Sequence, residues 1–270
     1  MPTRDDPVEI RTPAGSIAGT FITPRRRMPG VLFVHGWGGS QAQYLARAHS
    51  LAALGSVCLT FDLTGHAATV PQRSTVSREQ NLRDVVAAYD VLVSHRAVDP
   101  ERIAVVGSSY GGYLTAILSS MRAIRWMALR APALYVDTGW EVPKVRLSEE
   151  QGLAAYRRSF VPADENRALS DCSNYQGDVL IAESEFDDRI PHPVIASYVE
   201  SFSRARSMTW RTIPGADHGL TEESSQQAWS ALLINWMTEM MFIPAGKETP
   251  KPQASTRASE ETPEAPPGPG

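Results

Sequence analysis

The stretch AVVGSSYGGYL, residues 104–114, decides the fold, because it places three glycines and two serines between an apolar run and a helical pattern. The apolar run, 102–107, predicts a buried strand, and residues from about 111 to 120 predict a helix. In the pattern G-x-S-x-G the central residue is Ser109, whereas a frame centred on Ser108 would need glycines where the sequence has Val and Tyr. The sequence therefore predicts a sharp strand–turn–helix with Ser109 at its apex.

Ser109 is the candidate nucleophile, since this kind of turn lifts its hydroxyl clear of the sheet. A residue at the apex has a strained backbone, and side chains two positions to either side would collide, so glycines are expected there. The amide of Tyr110, at the helix start, would point toward an oxyanion formed at the serine. The short pattern also occurs by chance, but the strand before it and the helix after it favour a catalytic serine.

Short apolar runs alternate with helical patterns along most of the chain, which predicts an α/β fold. Two segments near the start, VEIRT and SIAGTFIT, flank a turn and predict an antiparallel hairpin. The remaining strands are predicted at 31–35, 56–62, 102–107, 126–130, 178–183 and 208–213. We therefore expect a mostly parallel eight-stranded sheet with helices on both faces and sites at the carboxyl ends of its strands.

The chain is predicted to divide into one folded domain and a tail. The domain spans residues 1–243, and a segment of about 132–177 interrupts the alternation and is expected to form a small cap insertion. Residues 244–270 contain seven prolines and no large apolar residue, which predicts a disordered Pro-rich tail.

Composition excludes several classes of protein. The net charge of −4 and the absence of a long basic run give no reason to expect a nucleic-acid partner or an anionic membrane surface. The first residues lack the apolar core of a secretory signal, and no run approaches the roughly 18 apolar residues of a membrane-spanning helix. Cys58 and Cys172 lie far apart in no metal or redox spacing. We expect a soluble cytoplasmic protein without disulfides, and the oligomeric state stays open.

A serine hydroxyl needs a base and an acid, and in this type of turn they follow in the order Ser, acid, His. His218 lies just past the last predicted strand, whereas the alternative, His192, lies in the loop IPHPV, so His218 is favoured. The acid should follow the strand over 178–183, where Asp187 is preferred over Asp188. The acidic residues around them lack a Gly-centred ligand loop or His–Cys ligands, so no metal is expected.

The glycine-rich stretch HGWGG, residues 35–39, follows the first parallel strand and is expected to complete the oxyanion hole. The amide of Trp37 is the candidate second donor, and His35 is expected to steady the loop rather than transfer protons. Lys-Ser/Thr and G-x-G-x-x-G are absent here, so no phosphate or nucleotide cofactor is expected. His35, Gly36 and the cap residue Trp140 are assigned to substrate binding, with Trp37 and Tyr110 lining an apolar pocket.

Taken together, HGWGG, FDLTGH, GSSYGG, DDRIP and DHG resemble the α/β-hydrolase fold superfamily, close to its small serine esterases of the cinnamoyl-esterase and dienelactone-hydrolase kind. The resemblance covers residues 8 to about 242. It implies Ser109 as nucleophile, His218 as base and Asp187 as acid, with an oxyanion hole from the amides of Trp37 and Tyr110. The segment TGHAAT departs from a common family pattern, which affects the shape of one pocket wall. The dienelactone enzymes use cysteine, so their particular reaction is disfavoured.

The first functional hypothesis is hydrolysis of a small-molecule carboxylic ester through an acyl-enzyme, without cofactor or metal. The second is a serine peptidase, because GSSYGGY is similar to the catalytic stretch of prolyl-oligopeptidase relatives. Those relatives usually carry a large additional domain, for which this chain is expected to have no room. The third is a catalytically inactive binding protein on the same fold, which a complete triad argues against.

Overall fold

The computed structural model describes residues 4–23, 28–147 and 152–242, and the tail predicted from residue 244 lies outside them. Its eight strands form one sheet in the order β1-β2-β4-β3-β5-β6-β7-β8. The first two strands form the predicted antiparallel hairpin, β2 pairs antiparallel with β4, and every other neighbouring pair is parallel. The strands are β1 Arg4–Thr12, β2 Gly15–Thr23, β3 Met28–Val34, β4 Val57–Phe61, β5 Val98–Ser108, β6 Trp126–Arg130, β7 Asp178–Phe186 and β8 Ser207–Asp217.

Helices cover both faces of the sheet, as the alternation of patterns predicts. Leu, Val and Ile from the central strands alternate between two apolar layers, one under α2, α3, α5 and α6 and the other under α1 and α7. The helices are α1 Leu45–Ala53, α2 Arg78–Ser94, α3 Tyr110–Met121, α4 Leu153–Tyr156, α5 Arg167–Ser173, α6 His192–Ser201 and α7 Glu223–Phe242. Within the described ranges no helix is long and apolar enough to cross a membrane.

N-cap residues mark the starts of three helices. The hydroxyl of Ser77 accepts a hydrogen bond from the amide of Gln80, which caps the first turn of α2. The side chain of Asn166 accepts from the amide of Ala168 and caps α5 in the same way. Pro191 precedes α6 as its N-cap. The side chains of Ser77 and Asn166 satisfy amides that have no partner inside a helix, whereas Pro191 provides no side-chain cap.

The segment after β6, expected as a cap, contains α4, α5 and 3-10 turns at Lys144–Arg146 and Ala163–Glu165 in its described part. The buried guanidinium of Arg78, at the start of α2, donates hydrogen bonds to the carbonyls of Val136 and Thr138. The amide of Lys144 donates to the carbonyl of Val76 at 2.8 Å. The first part of the segment is therefore bound to the start of α2.

Candidate active site

The apex of the β5–α3 turn has the strained backbone that the sequence predicts. β5 ends at Ser108, α3 begins at Tyr110, and Ser109 between them has φ +51° and ψ −115°. A Cβ added to Gly111 would lie 2.2 Å from the carbonyl oxygen of Val34, and one added to Gly107 would lie 2.6 Å from that of Gly111. Both glycines are therefore sterically required, Gly111 because the turn packs on the end of β3 and Gly107 because the start of α3 packs on it.

Ser109, His218 and Asp187 form one hydrogen-bonded line at the carboxyl edge of the sheet. The Ser109 Oγ lies 3.0 Å from Nε2 of His218, and Nδ1 of the same ring lies 2.7 Å from Oδ2 of Asp187. A proton on Nδ1 is donated to the carboxylate, which leaves Nε2 to accept from the serine hydroxyl. This tautomer is the one a general base needs.

The loop after β7 fixes Asp187 toward the imidazole. The second carboxylate oxygen of Asp187 accepts from the amides of Arg189 at 2.9 Å and Ile190 at 2.8 Å. Asp188, the alternative acid, is exposed. His192, the alternative base, begins α6 and pairs through Nδ1 with Glu183 at 2.8 Å. The structure thus brings together the favoured members of both pairs.

The Gly-rich loop after β3 lies directly against the serine. A Cβ on Gly36 would be 3.3 Å from the Cβ of Ser109. Among the described residues, the amides of Trp37 and Tyr110 donate no hydrogen bond to a protein acceptor. The Trp37 ring packs edge-on against Tyr110, with ring centres 5.7 Å apart. The loop that carries the Trp37 amide and the first residue of α3 thus flank Ser109, and both amides keep their donors available.

Two histidines hold this loop without entering the site. His35 is fully buried, donates from Nδ1 to the carbonyl of Gly36 and accepts the amide of Leu63 at Nε2. Nε2 of His66 accepts the amide of Gly38 at 3.0 Å. Burial lowers the pKa of both rings, to about 4 for His66, so both are neutral at pH 7. The assignment of His35 to substrate binding is wrong, because neither ring nitrogen faces the cavity.

Trp140 and the Tyr110 side chain also lie away from the cavity, contrary to the sequence prediction. The Trp140 ring stacks on Tyr113 at 6.1 Å and receives the guanidinium of Arg78 at 4.8 Å, on the opposite side of the turn. The Tyr110 side chain is fully buried, and its hydroxyl donates to Oδ1 of Asn81. Cation–π contacts and core packing hold these rings, and sequence spacing does not reveal either.

An open cavity of about 330 Å³ lies beside Ser109, between the Gly-rich loop, α1 and the start of α7. The sequence predicts only some of its walls. The three lining arginines were not predicted, although Arg130 ends β6 and strand ends are where sites lie in such sheets. The lining residues are Gly36, Trp37, Gly38, Gly39, Gln43, Tyr44, Arg47, Ser108, Ser109, Arg130, Arg189, His218, Gly219, Leu220, Gln226 and Trp229.

A serine, imidazole and carboxylate in line on a mostly parallel sheet, with the serine on a G-x-S-x-G turn, define a serine hydrolase of the α/β-hydrolase class. The sequence pattern of the Prolyl oligopeptidase family matches residues 42–242, a range that includes Ser109, Asp187 and His218. The chain belongs to the Prolyl oligopeptidase family. A search of curated protein sequences found no match.

Solved structures share the fold at low sequence identity. A dienelactone hydrolase from Anabaena variabilis has a TM-score of 0.63 and 18% identity, covering 88% of this chain and 98% of that one. Est1E from Butyrivibrio proteoclasticus, with ferulic acid bound, has a TM-score of 0.67 and 15% identity, covering 86% and 98%. Pyrococcus horikoshii acylaminoacyl peptidase has a TM-score of 0.65 and 13% identity, covering 92% of this chain and 43% of the peptidase. The predicted α/β-hydrolase fold is confirmed.

Proposed function

We propose that this protein hydrolyses carboxylic esters of small molecules through an acyl-enzyme intermediate. The proposal rests on the line from Ser109 Oγ to His218 Nε2 at 3.0 Å and from Nδ1 to Asp187 at 2.7 Å, beside an open cavity. Ser109 is the nucleophile, His218 the general base and Asp187 the acid that orients the ring. In this arrangement the Ser109 hydroxyl is hydrogen-bonded to the ring nitrogen that takes its proton, which is what activation of a serine nucleophile requires.

The reaction has two halves with the same geometry. Ser109 Oγ attacks the ester carbonyl while His218 Nε2 takes its proton, and the imidazolium then protonates the departing alcohol. Water next attacks the acyl group, again losing its proton to His218, and the serine is restored. Asp187 stays ionised and stabilises the imidazolium in both halves.

The amides of Trp37 and Tyr110 are the proposed oxyanion donors. Both adjoin Ser109 and neither donates within the described part of the chain. The Gly38 amide bonded to His66 and the carbonyl of Gly36 bonded to His35 fix the loop that carries Trp37. A fixed donor needs no reorganisation when charge develops, and losing one typically costs about 10²–10³ in rate.

Two solved structures that this chain covers over nearly their full length favour ester hydrolysis over other acyl transfers. Est1E is described with ferulic acid bound, and the Anabaena protein is named a dienelactone hydrolase, a lactone being a cyclic ester. This chain covers 98% of each, so the comparison extends over nearly the whole of both chains. The cavity of about 330 Å³ is large enough for a small-molecule ester.

Labelling with a fluorophosphonate tests the nucleophile. We expect one labelled serine, Ser109, and loss of both labelling and hydrolysis of 4-nitrophenyl esters in Ser109→Ala. Ser108→Ala is the matched control because Ser108 precedes the nucleophile and lines the same cavity, and it should still be labelled at Ser109. A folded wild type that is not labelled, or a Ser109→Ala variant with full esterase activity, would refute the proposal.

A peptidase is the second candidate, and the family match favours it. The Pyrococcus acylaminoacyl peptidase shares the fold, although this chain covers only 43% of it. The same acyl group can be joined to 4-nitrophenol as an ester or to 4-nitroaniline as an anilide. The two substrates then differ only in the bond that is cleaved and in the leaving group. We expect the ester to be cleaved far faster than the anilide, and equal rates would favour the peptidase.

A further inference from the structure

The cavity beside Ser109 has a positively charged wall. Arg47, Arg130 and Arg189 line it, and no Asp or Glu is among its described lining residues. None of the three arginines forms an ion pair with a carboxylate in the ranges that the structure describes. Three arginines therefore line one small space that has no acidic lining residue, and the carboxylates that act on Arg130, those of Asp187 and Asp217, lie outside that lining.

Arg130 is the deepest of the three. Its side chain is buried, with 7% of the residue exposed, and its backbone carbonyl accepts the amide of Ser109 at 2.8 Å. One terminal nitrogen donates to the carbonyl of His218 at 2.8 Å and the other to the hydroxyl of Ser184 at 3.3 Å. Arginine stays charged when buried, and Arg130 lines the cavity next to the nucleophile.

Arg47 reaches the same space from α1. Its Nε donates to the hydroxyl of Ser230 at 3.0 Å and Nη1 donates to the carbonyl of Gln43, which leaves Nη2 without a protein partner in the described residues. Burial lowers the pKa of Arg47, Tyr44 raises it, and the charge of Arg130 lowers it. Arg47 and Arg130 line the same cavity and carry like charges, so an anion bound between them would reduce their repulsion.

Arg189 completes the wall at its outer edge. The residue is exposed and follows the acid loop, where its backbone amide is bonded to Asp187. Because Arg189 lines the cavity and is exposed, we place it at the mouth of the cavity. An exposed cation there attracts an anionic substrate before the buried pair binds it.

We propose that this cavity selects esters that carry a second, free carboxylate, held by Arg47 and Arg130 and admitted past Arg189. The proposal deepens, and rests on, the ester hydrolysis proposed above. Hydrogen-bonded carboxylate–guanidinium pairs are planar and two-pronged, and they fit arginine better than lysine. Arg130 is also a positioning residue, because it holds the carbonyl of the catalytic His218.

A pair of substrates that differ only in charge tests this selectivity. Mono-4-nitrophenyl adipate presents the free carboxylate, and 4-nitrophenyl methyl adipate presents the same chain with that group capped. We expect kcat/KM for the acid to exceed that for the capped ester by about 10- to 100-fold. The preference should fall as salt is raised, because the exposed part of the attraction is screened.

Removing one arginine should collapse that ratio. Arg47→Met is expected to lower the acid-to-capped ratio about tenfold or more, and Arg189→Met, at an exposed site that tolerates substitution, to lower it less. Arg96→Met is the matched control: it removes the same charge from an exposed position between α2 and β5, at the opposite end of the sheet, and should leave the ratio unchanged. A ratio unaffected by both Arg47→Met and Arg189→Met would overturn the proposal.

Protection of the nucleophile gives a readout that needs no turnover. Adipate should slow fluorophosphonate labelling of Ser109, whereas its neutral diamide should not, and Arg47→Met should abolish the difference. If adipate and the diamide slow labelling equally, the anion subsite is refuted and the esterase proposal still stands. Absence of labelling and of hydrolysis with either ester refutes the esterase proposal itself.

Discussion

Replacing Gly111 by Ala tests how tightly the nucleophile turn is packed against β3. The new Cβ would lie 2.2 Å from the carbonyl oxygen of Val34 and 2.6 Å from that of His35. A carbon–oxygen contact normally needs about 3.3 Å or more, so the overlap with Val34 is about 1 Å. Both oxygens belong to the main chain, and no side-chain rotation can relieve the overlap.

The cost follows from two opposing effects. Overpacking a core costs about 1–3 kcal/mol, and a clash with two backbone carbonyls belongs at the upper end of that range. Alanine regains about 1 kcal/mol over glycine inside a helix. We therefore expect Gly111→Ala to lower the free energy of unfolding by about 2 kcal/mol. Relief requires the end of β3 to move, which shifts the Gly-rich loop, so kcat/KM should fall about 10²-fold.

Gly112→Ala is the matched control, since it lies in the same turn of α3 and gains the same helix propensity. Its Cβ would approach Pro132 Cα and Cβ only to 3.0 Å, so we expect a change within about 1 kcal/mol. Urea unfolding of both variants, followed by tryptophan fluorescence, measures the difference, and hydrolysis of a 4-nitrophenyl ester measures the effect on the site. Equal stability and equal activity of the two variants would show that the turn is not constrained as argued.

Three further predictions concern charge and burial. Asp187→Asn should lower kcat on a 4-nitrophenyl ester about 10⁴-fold because the imidazole loses its tautomer, whereas Asp188→Asn, at an exposed site, should change it by no more than about twofold. Burial holds the pKa of His66 near 4, below the value of 6.5 expected in the unfolded chain, so stability is present above pH 6.5 and is lost as the pH falls toward 4. Wild type should lose about 2 kcal/mol more than His66→Gln between pH 7 and pH 4.5, measured as urea midpoints. Burial raises the pKa of both thiols, so a thiol reagent should modify Cys58 and Cys172 only at the rate of global unfolding, and faster modification in the native state would contradict this.

The central sheet could be predicted because its strands are buried on both faces. β3, β4 and β6 read as unbroken apolar runs, and each is buried along most or all of its length. The ends of other strands were less visible. β5 starts at Val98 rather than 102, and β8 continues to Asp217 rather than 213, since each extension contains a proline and an acidic residue and lacks a continuous apolar run. Hydrophobic patterning carries no signal where a strand leaves the core.

The line of Ser109, His218 and Asp187 could be placed because each residue follows directly from a strand end, and parallel strands end at one edge. The residues around the line could not. Arg47 reaches the cavity from a helix that precedes the nucleophile by about 60 positions of chain, and only the packing of α1 against the sheet brings it there. Trp140 was expected in the cavity, but the buried guanidinium of Arg78 holds its ring on the other side.

The segment after β6 was expected to form a cap and to contribute Trp140 to substrate binding, and the structure points elsewhere. In its described part, residues 131–147 and 152–177, no side chain lines the cavity beside Ser109. Arg78 holds the first part of the segment at the start of α2, and the cation–π contact of Lys144 with Trp37 joins it to the Gly-rich loop. The cavity opens instead toward α1 and α7, so changes of selectivity should follow substitutions on those helices, while substitutions in the segment should act on stability.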